Sequence, residues 1–311
     1  MRRLLVVFAS LVALVAMCAT PLAMAVPAGA STNKFDAVTV TGAAGERPVV
    51  TVNAPFDVKT SAVDVINPGK GVKAAKGSTI TFDYVLVNGR TGQEIESSFG
   101  TEPVSLVLDP KQAQKSLVNS LIGTPTGSRV LVAIAPKDGL AKAASSSDPT
   151  IQKDDTLLFL FDVKQSLKRA TGDAVAPVAG LPTVKLAKDG APTITMPKGD
   201  APTTLVAQPL IKGKGPVVTA GQKINVHYTG ALWRDGKVFD SSWKRGESVT
   251  FPIGTQQVIA GWDEGLVGQT VGSQVLLVVP PDKGYGASGQ PQAGIKGTDT
   301  LVFVVDILGV K

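Results

Sequence analysis

An α+β fold is predicted for this chain: two tandem domains, each an antiparallel β-sheet wrapped over one short α-helix. Three observations predict it. Short apolar runs rich in Val and Thr recur between Gly/Pro turn signals while helix-period runs are scarce, the pattern of a β-rich chain. Gln256 to Val267 is the exception, placing Val258, Ile259, Trp262 and Leu266 at helical spacing over two or three turns. The chain also repeats itself. Gly77-Ser-Thr-Ile-Thr-Phe-Asp-Tyr84 resembles Gly221-Gln-Lys-Ile-Asn-Val-His-Tyr228 at an offset of 144 residues, and the same offset pairs Gly92–Ser98 with Gly236–Ser242. Further on the offset is 145, matching Gly127-Ser-Arg-Val130 with Gly272-Ser-Gln-Val275 and Pro136–Gly139 with Pro281–Gly284. Upstream, Gly45–Thr51 echoes Gly190–Thr195.

Taken in order, Met1-Arg-Arg3 and the apolar run Leu4 to Ala19 read as a signal peptide within residues 1–30, with small-residue cleavage sites at Ala23-Met24-Ala25 and Ala28-Gly29-Ala30. The run is short for a membrane span of roughly 20 residues, and no later run matches it, so an exported protein without a transmembrane helix is expected. Cys18 sits where a lipoprotein signal carries its lipidated cysteine. Met17 stands where a small residue is expected, so lipid anchoring is the weaker reading. Residues 35–169 form the first copy, 170–180 an Ala/Gly/Pro-rich linker, and 181–311 the second copy. Within the second copy, Lys223 to Trp233 and Lys237 to Asp240 make a hairpin through the turn Arg234-Asp-Gly-Lys237. Ser248–Ile253, Gln274–Val279 and Leu301–Leu308 are further strands, and Pro280 to Asp299 is a long Gly/Pro-rich loop of the kind that is usually functional.

Composition excludes several chemistries. The one cysteine falls in the signal, which removes disulfides, thiol catalysis and cysteine-held metals from the mature chain. The one histidine, His227, permits no histidine triad or metal cluster, and its place in an alternating strand suits packing. The net charge of +6 is scattered, without a basic block interleaved with aromatics, so nucleic acid is not an expected partner. No metal and no cofactor are expected. Taken alone, the 223–240 hairpin reads equally well as an ordinary hairpin with core aromatics.

The motifs Val226-His-Tyr-Thr-Gly230, Phe239-Asp-Ser-Ser242, Phe251-Pro-Ile-Gly254, Val258-Ile-Ala-Gly-Trp-Asp-Glu-Gly265, Val271-Gly-Ser273, Pro280-Pro-Asp-Lys-Gly-Tyr-Gly286 and Leu301-Val-Phe303 resemble the FKBP-type peptidyl-prolyl isomerases. They stand in that family's order over about 100 residues, and the two-domain exported layout resembles its actinobacterial members. The resemblance implies a prolyl pocket with Tyr228, Phe239, Asp240, Trp262 and Tyr285 as catalytic residues and Arg245, Val258, Ile259, Ile295 and Phe303 as substrate-binding ones. Trp262 would be the floor, Tyr285 and the Ile259 main-chain N–H would bond a substrate carbonyl, and Asp240 would lie at the rim, tied to Tyr228 and Arg245. Ile295 would lie at the pocket edge. The implied partners are proline-containing peptides, unfolded exported proteins and macrolide inhibitors. Val249 and Gln257 depart from residues common in the family, which bears on substrate preference and macrolide affinity.

The implied chemistry needs no nucleophile. The barrier to rotation about an Xaa–Pro bond, roughly 18–20 kcal/mol, is lost amide resonance. A twisted amide has less charge separation than a planar one, so a dry aromatic pocket favours it over the ground state.

The first copy replaces the implied site: Leu117 for Trp262, Leu140 for Tyr285, Ile95 for Phe239, Glu96 for Asp240, Ala113 for Val258 and Gln114 for Ile259. It reads as a degenerate FKBP-like domain with little or no activity, a docking module or a filled core. The leading functional expectation is thus an exported peptidyl-prolyl cis-trans isomerase with an active C-terminal domain. The rival is a binding module that holds partners through the same pocket.

Overall fold

A computed structural model describes residues 34–101 and 103–310. The expected signal peptide, with Cys18, lies outside the described residues. The chain divides into two compact units, the first ending near Gln165 and the second beginning near Ser166.

In the first unit, β1 (Val38–Thr41) and β2 (Val49–Val52) pair as an antiparallel hairpin. There follow β3 (Ala62–Asn67), β4 (Thr79–Asn88), β5 (Glu94–Ser97), β6 (Val104–Val107), α1 (Lys115–Leu121), β7 (Arg129–Ile134), α2 (Leu140–Ala144) and β8 (Leu157–Leu167). The sheet order is β3-β7-β8-β4-β5, with β6 also on β4. Because successive strand side chains point to opposite faces, β8 presents Leu158 and Leu160 to one side and Phe159 and Phe161 to the other. Leu158 and Leu160 pack with Val85, Val87 and the hairpin valines Val38, Val40, Val50 and Val52. Phe161 packs edge-on against Phe82 at 4.9 Å and stacks on Phe159 at 5.4 Å.

The second unit repeats this plan. It comprises β9 (Asp173–Ala174), β10 (Thr183–Leu186), β11 (Pro192–Thr195), β12 (Val206–Lys212), β13 (Lys223–Leu232), β14 (Val238–Ser241), α3 (Ser242–Arg245), β15 (Val249–Pro252), α4 (Ala260–Leu266), β16 (Gln274–Val279) and β17 (Leu301–Val310). The sheet order is β14-β13-β17-β16-β12-β9, with β15 on β13, and β10–β11 is a separate hairpin. The sheet is buried on both faces. Val226, Tyr228, Val275, Leu277 and Val305 meet Trp262 and Leu266 of α4 on one. Trp233, Leu276, Val278, Val302 and Val304 meet Val184, Ile194 and Met196 of the hairpin region on the other. Each fully buried Val or Leu contributes roughly 1.5–3 kcal/mol, so covering the second face is a substantial share of this unit's stability.

The structure refines the sequence reading in four places. The helix expected from Gln256 begins at Ala260, because Gln256 adopts a left-handed φ of 60° and Ile259 is extended, with ψ 146°. Gly265 lies inside it, where a Cβ would come within 2.7 Å of Leu277 Cδ2; the glycine lets α4 lie against β16. The Pro280–Asp299 loop carries three short 3-10 turns, Pro281–Lys283, Gly286–Ser288 and Pro291–Ala293. The stretch 170–180, expected as a linker, is stitched to the second sheet over its first half. The Thr171 N–H donates to Gly272 O at 2.8 Å, β9 pairs with β12, and the Val175 N–H donates to Leu210 O at 2.9 Å. Main-chain pairing of this kind leaves no side-chain pattern to read.

One pair of equivalent positions anchors different segments in the two units. Asp162 takes Arg129 Nε at 2.7 Å and Nη2 at 2.8 Å and accepts the Gly45 N–H at 2.9 Å. Arg129 also donates to Gly42 O and Glu46 O, which fixes the β1–β2 turn. In the second unit Gln274 stands for Arg129, and Asp306 accepts from Gln274 Nε2 and from the Ala170 N–H, both at 2.7 Å. Burial pushes the Asp306 carboxyl up to about 6, only partly offset by the Ala170 and Gln274 bonds and by Arg169.

Candidate active site

The site begins with the hairpin of β13 and β14. Its turn closes because the Gly236 N–H donates to Leu232 O at 2.8 Å and the Asp235 carboxylate accepts the Lys237 N–H at 3.0 Å. Strand alternation then turns Tyr228 inward and His227 outward. His227 stacks on Trp243 at 4.1 Å, its Nδ1 lies 2.9 Å from Ser242 Oγ, and burial followed by the Arg245 charge lowers its pKa to about 4. A neutral packed histidine results, as the sequence suggests. The register slips between Gly230 and Ala231 opposite β14, and Phe239 occupies the bulge. A Cβ on Gly230 would lie 2.6 Å from the Phe239 ring and 2.9 Å from Phe303, so glycine is required where the two rings close over the strand.

A cavity of about 630 Å³ opens between β13, β15, the head of α4 and the loop after β16. Tyr228, Phe239, Asp240, Val258, Ile259, Trp262, Tyr285 and Phe303 all line it, so eight of the ten expected residues converge. The Trp262 indole is the hub of its walls. It meets Phe251 at 5.1 Å, Tyr228 at 5.3 Å and Phe303 at 5.4 Å, each nearly perpendicular, and Phe303 meets Phe239 at 5.6 Å in the same way. Edge-to-face contacts of this kind add about 0.5–1.5 kcal/mol each beyond burial and hold the rings in fixed positions.

The charged groups, Asp240 and Arg245, are partly exposed at the rim. The Tyr228 hydroxyl donates to Asp240 Oδ2, Arg245 Nη1 donates to Asp240 Oδ1, and Arg245 Nη2 donates to Tyr228 Oη at 3.1 Å. The Arg245 guanidinium also lies over the Tyr228 ring, 5.7 Å from its centre. Burial and the bond to Asp240 push the Tyr228 phenol up to about 12. Burial works to raise Asp240, but the bonds from Tyr228 and Arg245 outweigh it and hold the carboxyl below its ordinary value. Asp240 is therefore an ionised acceptor held by Tyr228, Arg245 and the Ser241 main chain, unsuited to proton transfer near neutral pH. Tyr285 is 39% exposed, its phenol pushed up by partial burial and by Asp240. Ile259 caps α4 with its carbonyl, which accepts the Trp262 N–H at 2.9 Å, and no acceptor for its own N–H occurs among the described residues.

Two expected residues lie elsewhere. Arg245, from the one-turn helix α3, stands behind Asp240 and acts on the cavity through it. Ile295, expected at the pocket edge, is 3% exposed and packed in the core, its carbonyl and N–H both bonded to Gln290. Placed after three 3-10 turns, it is drawn inward by a loop whose path the sequence does not display. Sequence reasoning missed Phe251, Gln256, Ala260 and Gly284, which also line the cavity, as does Gln257, the departure from the family noted above. Phe251 had a signal, since it alternates with Val249 along β15. Among the described residues, no group of three or more metal-ligating side chains occurs.

The equivalent region of the first unit is built differently. Leu117 and Leu140 are buried at the Trp262 and Tyr285 positions, and Leu86 stands opposite Glu96 where Gly230 stands opposite Asp240. Gln114, at the position of Ile259, turns its side chain onto the helix: Oε1 accepts the Ser116 and Leu117 N–H groups, and Nε2 donates to Asp138 O at 2.6 Å. The Tyr84 hydroxyl still bonds Glu96, but burial raises Glu96 and that bond only partly lowers it.

A family model described as FKBP-type peptidyl-prolyl cis-trans isomerase matches residues 70–164 and 215–308. An FK506-binding protein of Streptomyces anulatus is 41% identical over 106 residues, 34% of this chain and 86% of that protein. A probable FK506-binding protein of Corynebacterium glutamicum is 41% identical over 106 residues, 33% of this chain and 85% of its own length. Peptidyl-prolyl cis-trans isomerase FKBP15-1 of Arabidopsis thaliana is 49% identical over 91 residues, 29% of this chain and 58% of its own, so the match spans just over half of that relative.

Proposed function

The chain belongs to the FKBP-type peptidyl-prolyl cis-trans isomerase family, and on that premise we propose that catalysis resides in its second unit, that the first unit is inactive, and that the protein acts on exported chains. The observation that carries this reading is the contrast at equivalent positions. Trp262, Phe239 and Ile259 line an open cavity in the second unit, and Leu117, Ile95 and Gln114 take the corresponding places in the first, where Tyr84 and Phe159 keep the Tyr228 and Phe303 positions.

The geometry supplies what amide rotation requires. The prolyl ring sits on Trp262, between Phe239, Phe303 and Phe251, out of water. Only the planar amide has a large dipole to lose there, so exclusion of water destabilises it relative to the twisted form. The Ile259 N–H and the Tyr285 hydroxyl hold the substrate carbonyl, and Asp240 keeps Tyr228 in place. Accelerations of roughly 10³ to 10⁶ need about 4–8 kcal/mol of such differential stabilisation. The same cavity is the proposed seat of macrolides of the kind for which the relatives are named. Export is supported by the charged start and apolar run of residues 1–19.

The test is isomerisation of short Xaa-Pro peptides by the full chain. Activity that is lost in Trp262→Ala and retained in Leu117→Ala supports the assignment. An inactive chain, or one that Trp262→Ala leaves unchanged, defeats it. Terminal sequencing of protein recovered outside the cell tests export and the cleavage point.

A further inference from the structure

The rim of the cavity between β15 and α4 is a turn of unusual main-chain shape. Gly254 and Gln256 both adopt left-handed φ values, 71° and 60°, and Gln256 is the only non-glycine residue that does so among the described residues. Left-handed backbone is costly for a residue with a side chain and persists only where something holds it. Here the holder is one side chain. Asp263, in the first turn of α4, accepts the Gly254 N–H on Oδ1 and the Gln256 N–H on Oδ2, both at 2.7 Å. The residues that follow, Gln256 to Ala260, line the cavity without interruption, and Ile259 among them carries the uncommitted N–H.

We infer that Asp263 is a positioning residue for the isomerase site: its carboxylate fixes the 254–259 turn and so keeps the Ile259 N–H at the cavity wall for the substrate carbonyl. The inference rests on the function proposed for the second unit. Asp263 does not line the cavity and acts through the turn alone. Both carboxylate oxygens are used, one on each left-handed residue, so a side chain with a single acceptor holds only one of the two points. A donor fixed in advance binds the carbonyl of the planar and the twisted amide alike, so its loss weakens substrate binding more than turnover.

The experiment compares the full-length wild type with Asp263→Ala, Asp263→Asn and Asp263→Glu on one Xaa-Pro peptide, with KM, kcat and Tm measured for each. Asp263→Ala is expected to raise KM about tenfold with kcat within about twofold. Asp263→Asn falls between, and Asp263→Glu, which restores both acceptors, recovers most of the loss. A folded Asp263→Ala with wild-type KM, or with a fall in Tm alone, overturns the inference. If Asp263→Ala does not fold, Asp263→Asn decides the matter on the same readout. A wild type without activity, or one indifferent to Trp262→Ala, defeats instead the assignment of the site, so the two failures are distinguishable.

Discussion

The two units carry the same hairpin, the same strand order through the pocket strands and the same bulge, yet the residues that line the aromatic cavity of the second are only partly kept in the first. The bulge is the instructive case. In both units a residue loops out opposite the long central strand, Ile95 in one and Phe239 in the other. In the second, Gly230 lets Phe239 and Phe303 close over the strand. In the first, Leu86 and Ile95 put aliphatic bulk at the Gly230 and Phe239 positions, while Tyr84 and Phe159, at the Tyr228 and Phe303 positions, pack with Phe161. A fold tolerates such exchanges as long as its core stays filled. A binding site does not, because it depends on space left empty and on donors left unused. Gln114 commits its side chain to Ser116, Leu117 and Asp138, whereas the apolar side chain of Ile259 lines the cavity.

The comparison breaks most sharply at the helix. Trp262→Ala should abolish measurable isomerisation and destabilise the second unit by about 3–5 kcal/mol, and Leu117→Ala should cost about 2–5 kcal/mol with activity unchanged. Peptide kinetics with thermal melts of both variants decide it; equal loss of activity would erase the distinction between the units. Next is the buried acid. Because Asp306 has a folded pKa of about 6, above its unfolded value, its ionisation opposes folding. Stability should therefore fall by up to about 3 kcal/mol as pH rises from about 4 to about 6, then level off. Asp306→Asn should flatten that slope in urea melts across this range.

Smaller effects follow at the rim. Asp240, held below its ordinary value, lends stability that is present above the unfolded pKa of about 3.9 and lost as pH falls through the folded one. Arg245→Met removes a donor to Asp240 and should bring that loss to higher pH, with activity at pH 7 down about threefold, as expected for a partly exposed pair. Activity–pH curves of the two proteins give the answer. Smallest of all, Gln114→Ala deletes the cap of α1 and should cost about 0.5–2 kcal/mol without conferring activity. Any gain of isomerisation there would mean that the first site is latched shut and not rebuilt.

Much of this was legible in the sequence, for identifiable reasons. The repeat spacing and strand alternation give the doubled α+β plan, and eight of ten expected residues meet at one cavity because their motifs fall on adjacent strands, a helix head and one loop. What escaped is set by the main chain. The left-handed Gln256 shortens α4, the pairing of β9 turns a linker into an edge strand, and the path of the 3-10 turns carries Ile295 into the core. None of these leaves a periodic trace in side chains. Asp263 escaped for the same reason, since its partners are N–H groups that every residue possesses.

The outer hairpins set a limit on how far this protein can be trimmed. The stretches that match the family, 70–164 and 215–308, both begin downstream of them. A fragment cut at 215 would lose β10, β11 and the sheet strand β12 together, laying bare the layer formed by Trp233, Leu276, Val278, Val302 and Val304. Apolar surface of that extent drives proteins to aggregate. The smallest soluble piece that keeps the aromatic cavity must therefore start well ahead of the family's boundary, at the connector residues that lace onto its sheet.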